Sequence, residues 1–152
     1  MQTMWVVVAD EGRARFLELR EAGQDLRDVE ELTDAAAHAD RADLRRDAQG
    51  RFHSPSGQQG PGSGTAPPRT DELDKEADLF ARRVAERLVD AHRKHRYEQL
   101  RIVAAPRFLG RLRQQLQPEV KDVVVDELDK DLVHLDERTL TQRLFPSSAT
   151  RH

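Results

Sequence analysis

The sequence predicts an α/β protein: one mixed five-stranded sheet in the order 3-2-1-4-5, with helices packed on it and a long flexible loop. Three observations predict this. Short runs rich in β-branched and large apolar residues crowd the first 32 positions, separated by turn residues. A long stretch with helical apolar spacing follows a region rich in glycine and proline. Beyond it, apolar runs of strand length alternate with helical patterns, the signature of crossover connections and parallel pairing.

Trp5-Val6-Val7-Val8-Ala9 is apolar throughout, as expected of a strand buried on both faces. Asp10-Glu11-Gly12-Arg13 supplies turn chemistry. Ala14 to Leu19 mixes apolar and charged residues, which predicts a second strand with a wetter face. Glu21–Asp25 makes another turn. Leu26–Leu32 is polar enough for a sheet edge, where charge discourages further pairing. Three such strands in succession form an antiparallel meander. Residues 35–50 mix alanines, charges and a single Leu44, and their pattern favours neither helix nor strand.

His53–Thr70 holds four of the eight glycines and four of the seven prolines, with no large apolar residue, so it reads as the flexible loop. Thr70 or Asp71 can cap the helix that follows, and Asp71 and Glu72 suit the positive end of its dipole. Ala77, Phe80, Ala81, Val84, Ala85, Leu88 and Ala91 fall on one stripe of that helix. Asp78–Arg82 and Asp90–Lys94 are spaced as supporting ion pairs on its wet side. Gln99–Ala104 is the fourth strand. Pro106 suits the first turn of a helix that buries Phe108, Leu109, Leu112 and Leu116. Pro118 interrupts that helix, Val123-Val124-Val125 begins a fifth strand, and Leu132, Leu135, Leu140 and Leu144 suit a closing helix. With the fourth strand parallel to the first after a right-handed crossover, the arrangement is ribonuclease-H-like.

The segments VVVADEGRARFLEL (6–19), DLRRDAQGRF (43–52), LFARRVAERL (79–88), LRIVAAPRFLGRLRQQL (100–116) and DKDL (129–132) resemble successive blocks of the bacterial host attachment protein family. The resemblance runs from about Trp5 to Leu144 and covers nearly the whole chain as a single domain. It implies a fold akin to the central domain of archaeal and eukaryotic release factors and of Pelota. It also implies a part in bacterial attachment to host cells, the role from which the family takes its name.

The totals bound the function. With 152 residues, 35% of them charged, and no cysteine, the chain excludes disulfides and thiolate metal sites. Its opening MQTMWVVVAD has no basic leader, and the apolar run is too short for a membrane span, so a cytoplasmic protein without a membrane partner is expected. Residues 82–121 carry eleven cations against four acids, and residues 122–137 carry seven acids against one lysine. The basic region suits phosphate backbones, with solvated helix faces as the alternative.

Arg107, Arg111 and Arg113 surround the start of a helix directly after a strand, where free N–H groups and the dipole favour anions. Together with Arg51, and with Arg45 and Arg46 beside the loop, they are the candidate anion or RNA contacts. Pairing of Arg107 and Arg111 with surface acids is the competing reading. Gly57-Gln58-Gln59-Gly60 lacks the Gly-Gly-Gln tripeptide by which release factors position water, so a linker is expected there. Asp10 stands where a ribonuclease-H carboxylate would, yet Ala104-Ala105-Pro106 supplies no second acid, and Asp10 is expected to serve the turn. His92 and His95 share metal-ligand spacing without a third ligand, and packing at the helix edge is expected instead. Asp126, Glu127, Asp129 and Asp131 could hold a cation, but acids at a strand end need none. No nucleophile elbow, phosphate-cradling loop or dinucleotide fingerprint occurs, so neither catalytic residues nor a cofactor or metal are expected.

These observations favour a non-catalytic binding module that contacts RNA or the ribosome. The alternatives are a hydrolase of tRNA-linked substrates working through the 53–70 loop, and a protein-interaction component. Nothing in the pattern specifies an oligomer.

Overall fold

A computed structural model describes residues 3–34 and 66–146, with the backbone alone for 66–71. The elements are β1 (Met4–Ala9), β2 (Arg13–Leu19), β3 (Arg27–Thr33), α1 (Ala66–Arg93), β4 (Gln99–Ala104), α2 (Pro106–Gln115), α3 (Pro118–Lys121), β5 (Val124–Leu128) and α4 (Glu137–Leu144). They form one five-stranded sheet in the order β3-β2-β1-β4-β5, the expected 3-2-1-4-5. β1 is antiparallel to β2 and parallel to β4.

The alternation of side chains along each strand sorts the core into two layers. Trp5, Val7, Ala9, Phe16, Leu100, Ile102 and Ala104 face α1 and α2. The whole predicted stripe of α1 is buried, as are Phe108, Leu109, Leu112 and Leu116. Phe80 of α1 meets Phe108 of α2 with ring centroids 5.8 Å apart. Val6, Val8, Leu17 and Val103 point the other way and are covered by Leu132, Val133, Leu140 and Leu144. The second face of β2 is therefore not wet: Arg15 is only 5% exposed, because residues 129–144 lie over it. The signal for that cover is more than a hundred residues away in the chain.

α1 begins at Ala66, ahead of the caps expected at Thr70 or Asp71. Pro67 and Pro68 fall in its first turn, where the missing N–H has no partner to lose. The glutamine pair and residues 53–65 of the expected loop lie outside the described residues. At the other end α1 closes in a Schellman motif: the Arg96 N–H reaches the Ala91 carbonyl and the His95 N–H reaches that of His92. His95 takes the left-handed position, with φ of 59°.

Both edge strands carry one extra residue. The registers skip Val29 in β3 and Val125 in β5, each beside acids. Such bulges twist an edge away from further pairing. The sheet is guarded on both sides.

Candidate binding cleft

The parallel strands β1, β4 and β5 all end at the same end of the sheet, and β3 ends there too, its Thr33 level with Arg13. From β1 the chain turns back to β2, whereas from β4 it continues through α2 and α3 to β5. Chain departing in opposite directions from adjacent parallel strands opens a crevice beyond their carboxyl ends, the usual place for a ligand in an open α/β sheet. A cleft of about 470 Å³ lies here, lined by Asp10, Glu11, Ala105, Pro106, Arg107, Phe108 and Asp131.

Near the cleft β1 ends on a small residue, Ala9, level with Ala14 on one side and Ala104 on the other. The Ala105 N–H donates to the Ala9 carbonyl at 3.2 Å, which ties the start of α2 to the end of β1. Asp10 makes the turn expected of it: its Oδ1 accepts from the Gly12 N–H at 2.9 Å, and its own N–H donates to Arg13. α2 begins with Pro106 in its first turn, no side-chain cap and no acidic residue there. The Leu109 N–H already bonds to the Ala105 carbonyl.

The three described candidate arginines separate sharply. Arg107 is exposed in the cleft wall, and no ion pair holds it among the described residues. Arg111 turns to α1, where it bonds Asp78 at 2.7 Å and Asp74 at 2.9 Å. Bonding to Asp78 holds the Arg111 pKa above its ordinary value, against the opposing effect of burial. Arg113 donates to Glu127 of β5 at 2.6 Å. Arg51, with Arg45 and Arg46, lies outside the described residues. Asp78 thus pairs across the core boundary with Arg111 rather than with Arg82, which reaches Glu86 instead, while Asp90 and Lys94 pair at 3.3 Å as expected.

The histidines do not form a joint site. His92 lies tilted against Tyr97, at 5.7 Å between centroids, and its Nδ1 lies 3.6 Å from Glu119, which Arg93 also holds. His95 has left the helix, so the shared face implied by their spacing is gone. Among the described residues no three His, Asp or Glu side chains converge as metal ligands would. Asp126 and Glu127 are taken up by Arg101 and Arg113 on opposite faces of β5. No helix among the described residues is long and apolar enough to cross a membrane.

Asp131 is singled out by the sequence only as one of four acids that could hold a cation, not as a neighbour of Arg107. The return of β5 to the shared end of the sheet brings it into the same cleft lining.

No curated protein is similar enough to the chain to match it. Residues 5–144 match the family described as "protein required for attachment to host cells", a span that includes all five strands but for Met4 of β1, the cleft and the closing helix, and the chain belongs to that family.

Proposed function

We propose that the chain is a non-catalytic binding module that works inside the bacterial cell and contacts RNA, on the ribosome, at the end of the sheet around Arg107. One observation carries this reading. Of the three described candidate arginines, Arg107 alone is left unpaired by the described residues, and it stands in a cleft beside a helix start with no side-chain cap. Backbone N–H groups and a guanidinium placed together favour a phosphate oxygen. The segment that carries Arg45, Arg46 and Arg51 joins Asp34 to Ala66. Asp34 lies at this same end, its N–H bonded to the Gly12 carbonyl. The resemblance to the host attachment family implies a fold akin to the central domain of release factors and Pelota, and a fold of that kind would favour the same class of partner.

The acids that line the same cleft set the size of the contact. Asp10, Glu11 and Asp131 repel a phosphate chain from their side, so RNA touches this end through one or two phosphates rather than along a groove. Binding then falls gently with salt, with a slope of about one to two in log–log form.

The test is co-sedimentation of the purified chain with bacterial ribosomes at two salt concentrations. Arg107→Glu is expected to weaken binding and to lower the salt slope by about one. Lys94→Glu, beyond the far end of α1, is expected to leave both unchanged. Equal binding by Arg107→Glu and the parent chain would sink the proposal.

A further inference from the structure

Residues 129–144 form a strap across the second face of the sheet, and its fastenings are unusual in kind. Among the described residues the backbone hydrogen bonds of the strap are made within it: Leu135 to Leu132, Leu140 to Asp136, and Phe145 to Thr141. Among the described residues the polar ties between the strap and the sheet use side chains. Arg15 Nη1 donates to the carbonyls of Val133, at 2.9 Å, and Leu135. Arg101 Nη1 donates to the Leu144 carbonyl at 2.8 Å, and its guanidinium lies 4.8 Å from the Phe145 ring centroid. Thr141 Oγ1 accepts from the Leu26 N–H and Glu137 from the Asp28 N–H, both at 2.8 Å. Below these ties Leu132, Val133, Leu140 and Leu144 are buried, with Leu135 and Phe145 packed partly buried against them.

A segment that shares no ladder with the sheet, and that follows its last strand, can leave without breaking any strand pair or crossover. One consequence reaches the cleft. Asp131, in the cleft wall, is the residue immediately before Leu132. The Arg15 guanidinium leans the other way: its Nε and Nη2 are held by Asp28 at 3.0 and 2.8 Å, and Asp28 stands level with Leu17 and so with Val6, well back from the end of β1.

We propose that the strap is a latch that opens as a unit, withdrawing Asp131 from the cleft. Closed, this acid lines the same cleft as Arg107. Open, the cleft loses the acid, and an anion at Arg107 meets less repulsion. The strap therefore regulates the phosphate contact assigned to Arg107, and this part rests on the RNA reading above. By linkage, a ligand that prefers the open form must itself promote opening.

Hydrogen–deuterium exchange on the full chain, without any ligand, tests the opening. Amides of 137–144 are expected to exchange well ahead of those of 77–91 and of β1. Arg101→Gln cuts the tie at Leu144 without touching a cleft residue or Arg15. The loss of that charged hydrogen bond, together with the Phe145 contact, should speed strap exchange about tenfold or more and leave α1 unchanged, while the Asp126 ion pair lost with them lies within the sheet. Strap and α1 amides exchanging together, through global unfolding, would overturn the latch. Ribosome co-sedimentation of Arg101→Gln then reads the regulation, with several-fold tighter binding expected. A strap that opens in a chain that never binds ribosomes would sink the RNA reading while leaving the latch standing. Binding by the parent chain that Arg101→Gln does not tighten would overturn the regulatory link alone.

Discussion

The two faces of this sheet are covered by different physics. On one, a long helix lays a continuous apolar stripe against Trp5, Val7, Phe16 and Ile102, and the aromatic rings of Phe80 and Phe108 meet above them. On the other, a strap with an eight-residue helix covers Val6, Val8, Leu17 and Val103, held at both ends by arginines that reach its carbonyls. The first cover rests on apolar area, which is additive and non-directional. The second uses few apolar groups and several directional bonds to charged donors, each worth more than a neutral one but lost completely when its geometry fails. A large dry face makes a permanent core. A small face fastened by side chains makes one that can open.

The comparison can be broken by equivalent truncations on the two sides. Phe80→Ala removes a ring that is 1% exposed between α1 and α2 and should cost about 3–5 kcal/mol. Its denaturant midpoint should fall for every probe at once, because the first face belongs to the global unfolding unit. Leu140→Ala, at an equally buried site in the strap, should cost about 2–3 kcal/mol. Its loss should appear first as faster exchange in 132–144, and a uniform loss across both faces would erase the distinction. Arg111→Gln tests a clasp on the first face. Its partners Asp74 and Asp78 have side chains about half exposed (49% and 53%), so the change should cost about 1 kcal/mol or less in thermal melts.

The smallest effect concerns acid. Asp136 caps α4, and the Thr139 N–H donating to its carboxylate, at 2.7 Å, holds its pKa below the ordinary value. A depressed carboxylate stabilises the fold above its unfolded pKa, near 4, and that contribution is lost as pH falls through the lower folded value. Strap amides should therefore loosen on acidification below about pH 4. On the first face Glu119 is depressed in the same direction by Arg93, so the comparison is made within the strap. Asp136→Asn keeps a capping oxygen without a titrating charge, and its strap exchange should lose most of that pH dependence.

The candidate site was legible only in outline. Arg107, Arg111 and Arg113 sit within one short helix, and each could serve a phosphate by its position at a strand-to-helix junction. Their fates depend on partners 14 to 37 residues away: Glu127 for Arg113, Asp78 and Asp74 for Arg111. No local pattern distinguishes a paired arginine from a free one. Arg15 shows the same limit in reverse. Alternation in β2 placed it correctly on the face opposite Phe16, but a charged residue on an otherwise open face suggests water. Here the face is closed by a segment whose own leucines give no sign of which surface they cover.

By itself the sequence determined the strands, the long helix, the sheet order and the charged edge at the third strand, because each rests on local periodicity, turn residues and the short connections that follow from them. Family membership is likewise carried by the order of its blocks along the chain. Only the tertiary structure decided which arginines are free, which acids line the cleft with Arg107, and that the second face is dry. Those depend on side chains brought together from distant segments, and a hydrogen bond is settled by a fraction of an ångström that no spacing in the sequence records.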